Sequence, residues 1–203
     1  MSPETHFLMS WIVAAKTTNN PRDCRLVTLA GVLPDVDGLG LLLDGMNQAL
    51  WHRRSFFYEH YHHLLLHGIF GAGLISLLLA AFARQRWRVA WVSFFLVHLH
   101  LLCDFVGSRG PSPEDLWPIF YFGPWNKNSM WIWKGQWRLD GWQNKIVSVG
   151  CFLGSLWIAT EVGHSFVGVF SRRADRVFVQ VLCQWRNKML PRNPSPIPIS
   201  PAP

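Results

Sequence analysis

The chain has 203 residues, enough for one domain with a tail, and half of them are hydrophobic while only 15% are charged. A soluble domain carries closer to about a quarter charged residues, so the composition favours a membrane protein. The formal net charge of +7 does not indicate nucleic acid, because the lysines and arginines lie between hydrophobic segments and in the tail, without a nucleic-acid motif. The cysteines are widely spaced, which argues against a disulfide framework or a zinc ribbon.

The N-terminal third predicts short helices and one acidic turn. A helix is predicted over residues 5–16, and a second apolar piece covers residues 26–33. Pro34 ends this piece, and the acidic turn 35–38 follows. Residues 39–43 are apolar but too few to cross a bilayer, which takes about 20 residues, so we expect them to be buried or interfacial.

Two long apolar blocks come next, at residues 64–83 and 87–106, and the basic tripeptide 84–86 separates them. Each block approaches the length of about 20 residues that a membrane-spanning helix requires. The short break predicts an antiparallel helical hairpin, and a third span is predicted over residues 146–170. The predicted fold class is therefore all-α, a multi-helix integral membrane bundle with about three spanning helices.

Residues 107–145 connect the hairpin to the third span and hold half of the 12 tryptophans, interleaved with lysine and arginine. This pattern is typical of an aromatic belt at the headgroup level, and we favour membrane anchoring over a lid that lays lipid headgroups over a site. Membrane lipids are therefore the expected partners, and neither nucleic acid nor a particular protein partner is predicted. The predicted organisation is a helical membrane domain over residues 1–170, with a basic amphipathic segment and a disordered proline-rich tail over residues 171–203.

The densest run of potential metal ligands is residues 59–67, which hold four of the nine histidines and lead into an apolar block. Imidazoles at the edge of a hydrophobic helix are costly unless they share a partner, and neutral imidazole is the commonest protein metal ligand. The run therefore predicts a bound divalent metal ion. His60 and His63 are equally consistent with positions at the membrane interface.

The hairpin geometry places three of the candidates at one end. His67 and Asp104 lie about equally far from the hairpin tip, at a rise of about 1.5 Å per residue. His100 and Asp104 share a helix face because they are i, i+4 neighbours. Such a pair facing a histidine of the next helix is a recurrent way to hold a metal in a helical bundle. His98 cannot face the same way as His100, so we expect a packed or interfacial role for it.

Three further candidates lie earlier in the chain: Asp35 and Asp37 on alternate residues of the acidic turn, and His6 on the first helix. A mixture of imidazole nitrogen and carboxylate oxygen suits zinc, manganese or iron better than calcium. Two ions bridged by a carboxylate would activate water and clamp a phosphoryl or acyl oxygen. The alternative is that Pro-Asp-x-Asp-Gly is an ordinary turn sequence.

With these residues identified, the chain resembles the membrane-bound metal-dependent hydrolases, a family of YdjM-like, LexA-binding proteins of the inner membrane. That family has a histidine near the N-terminus, a Leu-Pro-Asp-x-Asp turn, a His-Arg-Gly-x-Thr-His segment, a His-x-x-x-Asp helix and a Leu-Trp-Pro. The corresponding segments here are Thr5-His6, residues 33–37, residues 62–67, residues 100–104 and Leu116-Trp117-Pro118. Their order and approximate spacing agree over residues 5–118.

The chain departs from the family pattern around two of the motifs. The Arg-Gly and Thr between the paired histidines are replaced by His63-Leu64 and Leu66, and the Thr-Pro-x-Gly after the aspartate is replaced by residues 105–108. These changes keep the proposed ligands but alter the residues around them, which can weaken metal affinity or activity by roughly tenfold or more.

The resemblance implies a metal-dependent hydrolase of the bacterial inner membrane, with zinc or manganese as one or two ions and metal-activated water. The ligand order also resembles that of zinc-dependent phospholipase C, which suggests phosphoester substrates, including lipids. The resemblance selects His62 within the histidine run, and the three aspartates are the candidates that orient or deprotonate water. The alternative is a non-catalytic membrane protein whose cluster binds a structural metal or a partner. The complete candidate ligand set is His6, Asp35, Asp37, His62, His67, His100 and Asp104.

Overall fold

The structure is a computed structural model that describes residues 1–53, 55–57, 65–126 and 128–190. The described residues are mainly helical and form no strand, only two isolated bridges, which confirms the all-α prediction. The helices are α1 (Pro3–Thr17), α2 (Pro21–Ala30), α3 (Gly40–Trp51), α4 (Ile69–Ala81), α5 (Arg86–Gly107), α6 (Trp142–Val162) and α7 (Arg172–Met189), with 3-10 turns at Leu33–Leu39 and Phe166–Val169.

Two helices, α5 and α6, are long and apolar enough to cross a membrane. The helix α2 and the segment Leu33–Trp51 form a third candidate, a pair bent by 53° at the short break between them. The predicted bundle with about three spans is therefore confirmed.

The predicted spans differ from the observed helices in their bounds. The described part of the block 64–83, residues 65–83, is helical over the 13 residues of α4. This helix is about 20 Å long at about 1.5 Å per residue, which is too short for a span. Residues 65–68 are bends instead of helix, so hydropathy alone overestimated its length. The predicted span 146–170 corresponds to α6, which begins earlier, at Trp142, and also ends earlier, at Val162. The helix ends there because Gly163 adopts a positive φ of 76° after its last turn.

The helix α2 begins before the predicted apolar piece because polar residues form its first turns. Asn20 caps it by accepting a hydrogen bond from the Asp23 backbone N–H at 3.0 Å, and Pro21 occupies the first turn, where its missing N–H costs nothing. The Asp23 carboxylate in turn accepts the backbone N–H groups of Arg84 and Gln85, each at 2.9 Å. The tip of the predicted hairpin between α4 and α5 is thereby tied to α2.

The chain divides into two compact units, Met1–Ser155 and Leu156–Pro203. The first unit contains α1 to α5, of which α1, α2, α4 and α5 pack around a core that includes Trp11, Val27 and Val97. The second contains α7, which packs against the 3-10 turn Phe166–Val169. The predicted division into residues 1–170 and 171–203 stays a prediction.

The connection between α5 and α6 is irregular but internally bonded. The buried amide of Gln136 accepts from the Trp117 N–H at 2.9 Å and donates to the Trp117 carbonyl at 2.8 Å. Several of its indole rings are exposed, as a membrane-facing aromatic segment requires, namely Trp125, Trp131 and Trp133.

Close packing between α1 and α2 depends on Gly31, which follows α2. A Cβ at this position would lie 1.7 Å from Ser10 Oγ, so no larger residue fits without displacing α1. The Gly31 carbonyl also accepts a hydrogen bond from His100 at 2.8 Å, so the close approach positions α5 as well.

We expect Gly31→Ala to destabilise the protein by about 1–3 kcal/mol, the usual cost of overpacking a core contact. Gly73→Ala is the matched control, because its added Cβ meets nothing within 4 Å and it lies in α4, where alanine is worth about 0.5–1 kcal/mol more than glycine. Thermal unfolding in detergent, followed by circular dichroism, measures both. Equal or higher stability of Gly31→Ala would contradict the proposed contact.

Candidate metal centre

Four side chains from three segments of the first unit converge on one point. Asp35 comes from the 3-10 turn Leu33–Leu39, His67 from the bend before α4, and His100 and Asp104 from adjacent turns of α5. One potential ligand atom from each residue lies within 4.8 Å of the other three. We call these residues the four-residue cluster.

The distances within the cluster are short. The two imidazole Nε2 atoms of His67 and His100 lie 3.2 Å apart. Asp104 Oδ2 lies 3.0 Å from the Nε2 of His100 and 3.7 Å from that of His67. Asp35 Oδ1 is 3.6 Å from His100 Nε2 and 3.7 Å from His67 Nε2.

The other nitrogen of each imidazole is held by an acceptor. His100 Nδ1 is 2.8 Å from the Gly31 carbonyl oxygen, and His67 Nδ1 is 3.1 Å from Asp37 Oδ2. A carbonyl or carboxylate oxygen can only accept, so we assign an N–H to both Nδ1 atoms. In the neutral rings the lone pair is then on Nε2, which is the atom directed into the cluster.

The cluster therefore brings together two nitrogen lone pairs and two carboxylate oxygens in a mostly buried site. These four atoms repel one another unless a cation lies among them. The second oxygen of Asp35, Oδ2, is buried and has no hydrogen-bond partner among the described residues. A bound cation would compensate for the burial of the Asp35 carboxylate without a hydrogen bond to Oδ2. The donor set, two imidazoles and two carboxylates, fits zinc or manganese.

Surrounding residues fix the orientation of Asp104. Its Oδ1 contacts His6 Nε2 at 3.1 Å and accepts from the Ser108 hydroxyl at 2.9 Å, and the terminal ammonium of Met1 also reaches it. Burial and the neighbouring His100 lower the pKa of His6, so it is neutral and donates its Nε2–H to Asp104. These contacts occupy Oδ1 and leave Oδ2 directed at the histidine pair.

In the absence of a metal ion, a proton is the cation that the cluster attracts. Burial disfavours protonation of His67, but the neighbouring carboxylates of Asp35 and Asp37 outweigh burial and raise the pKa of His67 to about 9. The site therefore attracts positive charge strongly enough to hold a proton on a fully buried ring near neutral pH.

The position of His67 depends on Gly68 and Tyr121. The Tyr121 carbonyl accepts the backbone N–H of Ile69 at 2.9 Å, and a Cβ on Gly68 would lie only 2.5 Å from that carbonyl oxygen. The Tyr121 hydroxyl lies 3.0 Å from His98 Nε2, and the other nitrogen of His98 is 2.8 Å from the Phe94 carbonyl. His98 is thus a packed residue bound to Tyr121, as its spacing predicts, and not part of the cluster.

The structure assembles most of the predicted site residues. The predicted candidates Asp35, His67, His100 and Asp104 form the cluster, while Asp37 and His6 contact it through His67 and Asp104. His62 lies outside the described residues, as do His60 and His63, so their roles stay predictions. The sequence did not indicate the supporting contacts from the Gly31 carbonyl and Ser108. Glycine at positions 31 and 68 is consistent with a close approach of neighbouring segments, but it does not identify the contacts.

Comparison with known protein families agrees with this architecture. A model of the YdjM inner membrane protein family matches residues 1–174 of the 203-residue chain. The chain belongs to this family. The YdjM match confirms the resemblance and extends beyond the residues 5–118 over which its motifs agree. No curated protein and no solved structure matches the chain. Membership of the YdjM family, together with the long apolar helices, places this protein in the inner membrane.

The pKa of His67 predicts how metal binding depends on pH. A metal ligand must present its lone pair, so binding to the cluster displaces the proton from His67. We expect the apparent affinity for Mn²⁺ to rise about tenfold per pH unit from pH 6 towards 9 and to level off above it, since the pKa of His67 is about 9. Titration calorimetry at pH 7 in buffers of different ionisation enthalpy should record the release of about one proton.

Asp37→Asn is the control for this pH dependence, because it removes one of the carboxylates that raise the pKa of His67. We expect the rise in affinity to end at a lower pH in this variant. An affinity that is constant between pH 7 and 9 in the unchanged protein would contradict the assignment.

Proposed function

We propose that this YdjM-family protein is a membrane-embedded, metal-dependent hydrolase of phosphoester substrates. The observation that carries the proposal is the convergence of two imidazole nitrogens and two carboxylate oxygens at one mostly buried point. A bound divalent ion would supply Lewis-acid chemistry, polarising a phosphoryl oxygen and making water more acidic.

The residues that would hold the ion are His67, His100 and Asp104. All three are buried, and each is fixed by a second contact: His67 by Asp37, His100 by the Gly31 carbonyl, and Asp104 by Ser108. Partners of this kind orient metal ligands and raise their basicity, and their loss typically weakens metal affinity or activity about 10- to 100-fold.

Accessibility distinguishes the three aspartates as possible proton acceptors. The side chain of Asp35 is 23% exposed, whereas those of Asp37 and Asp104 are 4% and 5% exposed. The attacking water and the substrate must both enter the site from outside the protein. We therefore assign the most accessible aspartate, Asp35, as the group that orients the water and accepts its proton. Asp37 positions His67, and Asp104 is a ligand.

The surroundings support a substrate that is presented at the membrane. The leucines Leu41, Leu42 and Leu43 of α3, which follows the Asp35 turn, are exposed, as are the indoles of the tryptophan-rich connection. Apolar and indole surface of this kind suits the region of lipid headgroups and upper acyl chains. We therefore propose a lipid-borne phosphoester as the substrate class.

A second candidate is a structural metal site without catalysis. The cluster offers four ligand atoms, and a zinc site closed by four protein ligands is typically structural, whereas a catalytic site has three and an open position. The two functions differ in the role of Asp35: it is the fourth ligand in a closed site and the proton acceptor in a catalytic one.

Metal content tests the site. Purified protein in neutral detergent should contain about one equivalent or more of zinc or manganese by elemental analysis, and both His67→Ala and Asp104→Asn should lose most of it. Glu114→Gln, a change at an exposed acidic residue outside the four-residue cluster, is the matched control and should keep its metal. Near-zero metal in all of these proteins would overturn the proposal.

Turnover separates catalysis from a structural site. With zinc or manganese added, we expect hydrolysis of a phosphodiester or phospholipid substrate, and Asp35→Asn should keep its metal while losing about 10²- to 10⁴-fold in rate, the usual contribution of a general base. If Asp35→Asn instead loses the metal and the unchanged protein shows no turnover, the closed structural site is correct.

A further inference from the structure

We propose that a cavity separate from the four-residue cluster binds a phosphate group, with Arg109 as its main recognition residue. The cavity has a volume of about 490 Å³ and lies between the α5–α6 connection and the first turn of α6, entirely within the first unit. None of its lining residues belongs to the cluster. The polar and aromatic groups on its wall include Arg109, Gln136, Trp137, Arg138 and Trp142.

The guanidinium of Arg109 lines this cavity without a protein counter-ion. Its Nε is buried and makes no hydrogen bond in the described part of the chain, which contains no ion pair to this side chain either. A buried N–H group without an acceptor costs about 1–3 kcal/mol, so such a group in a protein is usually satisfied by water or by an ion. An anion in the cavity would supply the missing acceptor.

The second arginine of the cavity is already neutralised. Arg138 donates from Nε to Asp140 Oδ1 at 2.9 Å and from its terminal nitrogen to Asp140 Oδ2 at 2.8 Å, a two-pronged contact. Both carboxylate oxygens of Asp140 thus accept hydrogen bonds from Arg138 and not from Arg109. The charge that the cavity offers to a ligand is therefore that of Arg109.

The backbone around Arg109 holds it in a fixed position. Its N–H donates to the Trp137 carbonyl at 3.1 Å, and its carbonyl accepts from the Leu139 N–H at 2.9 Å. The Asn144 side chain, from the first turns of α6, donates to the carbonyls of Gly107 and Arg138 at 2.7 and 2.9 Å. These contacts fix the backbone of Arg109 at the edge of the cavity.

The chemistry of the cavity suits a phosphate group. A guanidinium presents parallel N–H groups that match two phosphate oxygens. The acidic residue on the cavity wall, Asp140, is paired with Arg138. The indoles of Trp137 and Trp142 suit a group carried at the membrane interface. The phosphate is carried either by a lipid headgroup or by a free phosphate ion, and the experiment distinguishes these two sources.

The binding test uses the full-length protein in neutral detergent after chelation of metal, so that its result does not depend on the four-residue cluster. Inorganic phosphate, dioctanoyl phosphatidic acid and dioctanoyl phosphatidylcholine are titrated separately by calorimetry at low ionic strength. We expect phosphatidic acid to bind. If phosphatidic acid binds and inorganic phosphate does not, the cavity is a site for a lipid headgroup. If both bind, the cavity recognises the phosphate itself.

The variants assign the binding to Arg109. Arg109→Gln should weaken it at least tenfold, and Arg109→Lys should not restore it fully, because an ammonium lacks the two-pronged geometry. Arg88→Gln, at the other end of α5, is the matched control and should bind like the unchanged protein. Asp140→Asn should strengthen binding several-fold, since it frees Arg138, and a misfolded variant would not show such a gain.

Two results would overturn this proposal. One is that none of the phosphate compounds binds to the unchanged protein, and the other is equal binding by Arg109→Gln and the unchanged protein. Loss of metal or of turnover in the variants of the four-residue cluster would leave this test unaffected, so failure of the proposed hydrolase and failure of the phosphate site are distinguishable.

Discussion

The requirement for a cation among His67, His100 and the two carboxylates is the constraint on which the rest of the first unit depends. Two imidazole Nε2 atoms lie 3.2 Å apart with Asp104 Oδ2 at 3.0 Å from one of them, in a mostly buried site. Such an arrangement is unstable without positive charge, and the nearby carboxylates accordingly raise the pKa of His67 to about 9. A metal ion would satisfy the same demand with two charges instead of one.

The surrounding fold serves to bring these atoms together from distant parts of the chain. Asp23 ties the tip of the α4–α5 hairpin to α2, and Gly31 allows α1 and α2 to approach while its carbonyl orients His100. At the other end, Tyr121 fixes the start of α4 beside His67. Each of these contacts sets the separation of ligands that are far apart in sequence, so a change at any of them is expected to act on metal affinity as well as on stability.

Much of the site could be predicted from the sequence because the positions of several ligands depend on the regular geometry of helices. The i, i+4 spacing of His100 and Asp104 and the equal distances from the hairpin tip required only helix dimensions. The bounds of α4 did not follow, since an apolar run does not show where residues 65–68 leave the helix to present His67. The roles of Ser108 and the Gly31 carbonyl were also missed, because a backbone acceptor or a lone hydroxyl has no sequence signature until the chain is folded.

The sequence by itself determined the membrane class, the helical hairpin, the order of the candidate ligands and the family, because hydropathy, helix periodicity and motif spacing are properties of the linear chain. The tertiary structure alone decided which atoms face one another. It separated the buried Asp37 from the more accessible Asp35 and directed the Nε2 atoms of two histidines at a shared point. It also placed Arg109 beside a cavity with its buried Nε unpaired among the described residues. These distinctions depend on contacts between segments that are far apart in the chain, and burial and hydrogen-bond partners are fixed only when such segments pack.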